Sequence, residues 1–591
     1  MSADLLATLA EQSGFSSTGR TAEVERLCEA FARTWPDTVR CIDFGRSAEG
    51  RRMLALLLSR RPARQAPLLM LQAGIHPGES DGKDAGFIAL RELLRGEVLP
   101  GVLERIAILF VPAFNVDGHE RFHSWNRPNQ NGPRETGWRT TAQNLNLNRD
   151  YTKADAPEMR ALLTLIGEWD PLVCADLHVT DGANFEPDIS IQVEPCNQGD
   201  PRLRVAGLEL RAGLIEGLAR RGSLPLPFYP DLTRTDDPSS GFQLTVYSPR
   251  FSTGYFPQRN RFAVLVETHS WKDYARRIQV TRNTILELAQ LIALHGTRWQ
   301  ELAGQADIDA ASIGGAEVAL DYTSRWRETP RAGAAAAARE ATDAELIDFR
   351  GYAYTRERSS ISGDLVTVYD PGTPQIWRVP LRQQVKVLLA VRAPWAGYLV
   401  PAAYGEDIAA RLTLHGVRFE RLEAAVNELP VEAFRASRVE FSATPFEGRM
   451  RARIEGAWLR ERMPVGGGAL FVPIAQPRAR LLMSLLEPQA PDSLAAWGFF
   501  NACFELMEQT EPYVAHEIAR QMLEADAALA EEFEQRLQSD PVFAADPAAR
   551  LEFFLRRHAS WDARYNLYPV LRVDEPPPPG AAQGQSPCEP R

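Results

Sequence analysis

Four polar stretches close apolar runs in this chain: His76-Pro77-Gly78-Glu79, Asn144-Leu145-Asn146-Leu147-Asn148-Arg149, Asp176-Leu177-His178 and Leu265-Val266-Glu267. Between them they offer two imidazoles and a carboxylate, His76, Glu79 and His178. Those donor types hold a catalytic zinc with one position left open. Glu267 is a second carboxylate, suited to general-base work. Arg149 presents a planar fork that matches a substrate carboxylate. The chemistry this inventory suits is metal-assisted hydrolysis.

Each residue has a plainer reading when taken alone. HxxE pairs arise by chance on helices. His178 could be a strand-end histidine satisfied by backbone, and Glu267 a surface charge at a strand terminus. Two features favour chemistry. Three protein donors plus a water is the coordination of a catalytic rather than a structural zinc. Glu267 also follows the apolar run 262–266, so burial should raise its pKa towards general-base range. His269, two residues on, shares the face of Glu267 on an extended chain. His295, His415, His516 and His558 show no ligand spacing.

The elements that must position these groups alternate in type. A helix is predicted over 21–33, with Val24, Leu27 and Phe31 at helical spacing. Strand-like runs follow at 53–59, 67–73 and 106–112, with a helix at 82–94 between the last two. Further on come a helix at 157–169, a buried strand at 172–177, a helix at 203–221, a strand at 262–266 and a long helix at 279–302. Strands alternating with helices predict an α/β domain with a mixed, mostly parallel sheet flanked by helices. Sites in such sheets form beyond the carboxyl ends of strands, and His76, His178 and Glu267 all fall there.

Composition bounds the rest. The chain has 591 residues, enough for several domains. A net charge of -11 argues against nucleic-acid or anionic-membrane partners. No apolar run reaches the roughly 18 residues that a membrane span needs. The start, Met1-Ser2-Ala3-Asp4-Leu5, has neither a basic nor a long apolar region. A cytoplasmic location is the expectation, with a secreted enzyme lacking its leader as the alternative. Cys28, Cys41, Cys174, Cys196, Cys503 and Cys588 are scattered without a CxxC, and read as reduced thiols. The expected organisation is a catalytic domain over 1–305, a linker over 306–344 containing the Ala-rich stretch 332–338, a β-rich domain over 345–480, a helical region over 481–572 and a disordered tail over 573–591. A boundary near residue 310 predicts that the first part folds alone.

The motifs resemble the zinc carboxypeptidases of the carboxypeptidase A type, the M14 family. The resemblance begins at Ser47-Ala48-Glu49-Gly50-Arg51 and continues through His76-x-x-Glu79. It includes Asn115-Val116-Asp117-Gly118, with Val where the family has Pro, then Leu147-Asn148-Arg149, and ends at Glu267. It covers about residues 20–300.

The resemblance implies one Zn²⁺ per chain held by His76, Glu79 and His178, and a zinc-bound water activated by Glu267. Asn148 and Arg149 would bind the substrate's terminal carboxylate. Arg139 matches the arginine that polarises the scissile carbonyl, with Arg127 and Arg134 as rivals. The mobile tyrosine matches Tyr247 or Tyr255. One departure stands out: where the family has Asp behind a zinc histidine, this chain has Asn146, an uncharged acceptor that should leave the histidine a slightly weaker ligand. The implied activity is removal of a C-terminal residue from a peptide or peptidoglycan-like substrate. The alternatives are a deacylase or amidase acting on N-acyl amino acids, and a non-catalytic binding module.

Overall fold

The computed structural model describes residues 5–324 and 344–578, and the backbone of 582–584. The Ala-rich stretch 332–338 and, of the expected tail, residues 579–581 and 585–591 lie outside the described residues.

The first half builds one eight-stranded sheet. Its strands are β1 (Val39–Arg46), β2 (Arg52–Leu58), β3 (Leu68–Ala73), β4 (Ala107–Val111), β5 (Val173–Val179), β6 (Ile189–Glu194) and β7 (Pro225–Leu226), together with Phe262–Thr268. Two short strands precede that last one, β8 (Asp231–Leu232) and β9 (Phe242–Gln243), which makes it β10. The order across the sheet is β1-β2-β4-β3-β5-β10-β6-β7. The centre, β4-β3-β5-β10, is parallel, and antiparallel pairs flank it on both sides. Both faces are covered by helices, so the central strands are buried along their whole length and read as continuous apolar runs.

Register sets the site. In the parallel β5–β10 pair, Glu267 lies opposite His178, so both side chains leave the sheet on one face at its carboxyl edge. The same edge of β3 leads through Ala73 into His76 and Glu79, and then into the helix Asp81–Arg95. That helix approaches β5 closely at Gly82, where a Cβ would stand 2.6 Å from the Leu177 Cβ.

The second half departs from the expected partition. The helix predicted to end the catalytic domain runs from Tyr274 to Ala310. The expected linker contains β11 (Glu317–Thr323), paired with a strand some sixty residues on. Beyond it lie β12 (Glu345–Arg358), β13 (Leu365–Arg382), β14 (Lys386–Arg392), β15 (Gly397–Val400), β16 (Glu420–Leu422), β17 (Val426–Phe441), β18 (Ala452–Val465), β19 (Leu470–Pro473) and β20 (Leu571–Val573). These do not form one β domain: β12 and β13 share a sheet with β8 and β9 of the first half, and β11 pairs with β14. A third sheet holds β15 to β20 and carries the helix Ala402–Leu414 against it. The helical region is present as Pro512–Ala525, Ala527–Ser539, Pro541–Ala545 and Pro547–Leu555, around its own small core of Leu529, Phe543, Phe553 and Phe554. Val573, placed by sequence at the start of the tail, is buried in β20.

No structural gap marks residue 305. One apolar cluster runs from Val24 through the central sheet to Leu482 and Tyr568. Polar contacts cross the same boundary. The guanidinium of Arg478 donates to Asp170 (3.1 Å) and to the Arg259 carbonyl (2.8 Å), and the indole of Trp497 donates to Thr152 Oγ1 (3.1 Å). The compositional change at 332–338 therefore does not separate two independent cores.

Candidate metal and active site

His76, Glu79 and His178 converge. One donor atom from each lies within 4.8 Å of the others, and all three residues are buried. Glu79 stands between the rings: its Oε1 is 3.1 Å from His76 Nδ1 and its Oε2 is 2.9 Å from His178 Nδ1. The Val179 N–H also donates to Glu79 Oε2 (3.0 Å).

The next layer sets the tautomers. His76 Nε2 is 3.1 Å from Asn146 Oδ1, and that oxygen also accepts the Asn148 N–H (3.0 Å). An oxygen can only accept, so Nε2 carries the proton and the Nδ1 lone pair faces Glu79. Asp176 Oδ2 lies 3.2 Å from His178 Nε2, although off the line of a hydrogen bond. Ser252 Oγ (2.6 Å) and Gln72 Nε2 (2.9 Å) hold Asp176 in place.

A zinc ion fits this donor set. A lone pair on His76 aimed at a carboxylate oxygen is a repulsive contact unless a cation sits between them. Burial also holds His76 at about 4, neutral at pH 7 as a ligand must be. His178 runs the other way: burial would lower it, but Asp176 and Glu79 outweigh burial and hold the ring protonated. A divalent cation would take the place of that proton. Burial works to raise Glu79, and the His76 ring, Arg127 and the His178 contact more than reverse it, so the carboxylate stays ionised.

The cleft beside this cluster is lined by Arg139, Asn148, Arg149, Asp181, Tyr229, Tyr247, Phe251 and Glu267, among others. Burial pushes Glu267 up to about 8, and among the described residues its Oε2 has no hydrogen-bond partner. Arg149 is held over the Phe251 ring (4.3 Å to the centroid) and donates to the Asn148 carbonyl (2.7 Å). Burial and the charge of Arg250 lower it to about 10, and among the described residues it makes no ion pair. Asn148 Oδ1 is buried without a partner. The cleft therefore brings together a partly buried cation and, beside a metal cluster, a desolvated carboxyl group.

Arg139 lines the cleft, with Nη1 3.6 Å from Glu79 Oε1. Arg127 reaches Glu79 more closely (3.1 Å) but is tied to the Val179 and Thr180 carbonyls. It packs over Gly78, where a Cβ would stand 2.6 Å from its Cγ. Arg134 is exposed, and its backbone N–H donates to the Ser16 carbonyl (3.1 Å). Tyr247 lines the cleft. Tyr255 does not: it is fully buried, and its hydroxyl bonds His415 Nδ1 (2.9 Å). His269 also turns away from the site, because β10 ends at Thr268 and strand alternation stops there. Its ring stacks on Phe185 (4.1 Å), and its Nε2 accepts the Phe185 N–H (3.1 Å). Sequence reasoning missed Tyr229 and Asp181, for which no motif gave a signal. The role of Asp176 was within reach, since residues two apart on a strand share a face.

Residues 24–187 match the family described as zinc carboxypeptidase, peptidase family M14. This segment belongs to the zinc carboxypeptidase family. The protein is accordingly a metallopeptidase hydrolase. Two proteins called carboxypeptidase 2 are similar over most of its length. The one from Trichophyton equinum is 22% identical over 470 residues, 77% of this chain and 79% of that protein. The one from Trichophyton tonsurans is 23% identical over 504 residues, 82% and 85% respectively. Among solved structures, carboxypeptidase A from Helicoverpa armigera is 18% identical and covers 46% of this chain and 73% of its own, with a TM-score of 0.36. A metallo-carboxypeptidase from Pseudomonas aeruginosa is likewise 18% identical, covering 45% and 68%, with a TM-score of 0.35.

Proposed function

We propose that this zinc carboxypeptidase relative hydrolyses the C-terminal peptide bond of a peptide or peptidoglycan-like substrate that ends in a free carboxylate. The observation that carries the reading is Arg149: a partly buried guanidinium that makes no ion pair among the described residues, in the same cleft as Asn148, Glu267 and the His76–Glu79–His178 cluster. A partly desolvated guanidinium that no carboxylate contacts directly is costly in the resting protein and is relieved by an anionic ligand.

In this reading His76, Glu79 and His178 hold one zinc ion. Bound there, zinc supplies Lewis-acid polarisation and makes water a nucleophile near neutral pH. Arg149 and Asn148 clamp the terminal carboxylate, which fixes the scissile bond over the cluster and lowers the entropy cost of attack. Arg139, on the cleft wall, donates to the scissile carbonyl as negative charge develops there. Glu267 takes a proton from the attacking water and returns it to the leaving amine. Tyr247, which also lines the cleft, donates from its hydroxyl to the bound substrate.

The test is a substrate panel with metal analysis. Purified protein should hold about one zinc per chain. kcat/KM should rise from blocked dipeptide to tripeptide, and amidating the C-terminus should abolish cleavage. Faster turnover of N-acyl amino acids than of every peptide would replace this reading with the deacylase one.

A further inference from the structure

The cleft residues all come from the first half of the chain, yet the turn that presents Arg149 is held by the second. Asn146, Asn148 and Arg149 lie on a single short turn, Leu147–Arg149, capped by the Asn146 side chain. One atom, Asn146 Oδ1, serves both the His76 ring and the Asn148 N–H. The backbone N–H of Asn146 is donated elsewhere: to Glu447 Oε2, at 2.8 Å across three hundred residues of sequence.

Glu447 sits at the tip of the β17–β18 hairpin. Its φ of +52° is a left-handed conformation that residues other than glycine seldom adopt. Strain of that kind persists only where its surroundings over-determine it, and here they do. Next to it, Arg449 donates both Nε and Nη2 to Asp155 (2.6 and 2.7 Å) and lies 3.7 Å over the Phe499 ring. On its other side Phe446 stacks on Trp497, the residue bonded to Thr152. The hairpin tip is thus pinned on both flanks to the segment 152–155 that follows the turn, with the carboxylate of Glu447 aimed back at Asn146. The same charge acts on Arg149 and favours its protonated form.

We propose that Glu447 is a positioning residue for substrate-carboxylate binding: through the Asn146 N–H it fixes the turn that presents Asn148 and Arg149, so the second half of the chain completes the site. This rests on the reading of Arg149 given above.

The test uses the full-length chain and a panel of N-acetyl amino acids, the tightest of which serves as the probe. Binding is measured by calorimetry on metal-free and zinc-loaded protein. Glu447→Ala should weaken probe binding roughly tenfold in both forms, the loss of one charge-assisted hydrogen bond, and should raise KM more than it lowers kcat. Glu447→Gln keeps an acceptor oxygen at the same reach and should restore binding to within about threefold of the native protein. Three results would overturn the proposal: native-like binding in Glu447→Ala, a lowered Tm in that variant with binding unchanged, or Glu447→Gln no better than Glu447→Ala. Failure of the native protein to bind any member of the panel would instead count against the assignment of Arg149 and remove the basis of the proposal with it.

Discussion

Glu267 and its neighbours show how residue types become chemistry only through environment. A glutamate in water titrates near 4.3; burial moves this one to about 8 in the metal-free protein, and a cation among His76, Glu79 and His178 would pull it back down. As the proposed base, Glu267 must be ionised, so activity should rise with pH through its pKa. The acid limb of kcat/KM for the zinc protein should therefore fall above about 4.3 and below the metal-free value. Glu267→Gln should keep zinc and Tm but lose rate by several orders of magnitude, since it removes proton transfer and not binding. Near-native turnover in that variant would take the base role from Glu267. The two tyrosines separate in the same way. Tyr247→Phe should change kinetics with little effect on Tm. Tyr255→Phe should instead lower Tm by the loss of a buried hydrogen bond to His415, about 1–3 kcal/mol if the imidazole is left unpaired, with kinetics near native.

At the scale of elements, the site depends on how closely the helix Asp81–Arg95 and the turn before it approach the sheet. Gly82 packs where any Cβ would meet Leu177 at 2.6 Å and Ala73 at 3.0 Å. Both neighbours belong to strands that end at ligands, so the clash cannot be relieved without moving β3 or β5. Gly82→Ala should cost roughly 1–3 kcal/mol by overpacking and weaken zinc binding as well, because the register of His76 against His178 shifts. A variant with native Tm and native zinc affinity would show that the helix can ride outward without disturbing either ligand.

The whole molecule is held together by charges that cross the expected domain boundary. Asp170, at the end of the helix before β5, receives Arg261 (2.5 Å) and Arg478 (3.1 Å). Burial works against its ionisation, but Arg478, Arg261 and Arg259 outweigh it and hold the carboxyl below the usual range. A depressed carboxyl stabilises the fold at pH values above its unfolded value of about 3.9 and loses that contribution as pH falls through its folded value. Acid denaturation should therefore begin at higher pH in Arg478→Ala than in the native chain, and that variant should lose about 1 kcal/mol at pH 7, the scale of a solvent-screened pair, because the Asp170 side chain is 37% exposed and keeps Arg261 and Arg259. A fragment ending near residue 310 would expose the apolar faces that now meet Leu482 and Tyr568, and should be insoluble. A soluble, zinc-binding fragment of that length would restore the independent first domain read from composition.

The sequence by itself determined the parts whose signal is local. Apolar runs named the central strands to within a residue or two, because strands buried on both faces cannot alternate. His76, Glu79, His178 and Glu267 were legible because each ends such a run, and Arg149 because it follows a patterned Asn-rich stretch. Only tertiary structure decided the rest. Tyr247 and Tyr255 differ by eight positions, and nothing in their spacing says which faces the cleft and which faces His415. Arg139 and Arg127 compete for Glu79 through a loop with no periodicity to fix its path. The boundary at 305 misled because composition reports the solvent exposure of a short stretch, whereas a domain is defined by where the core closes. Glu447 left no trace in the sequence near the site, because its hydrogen bond to Asn146 joins residues three hundred positions apart, and such a contact exists only once the sheets have been brought together.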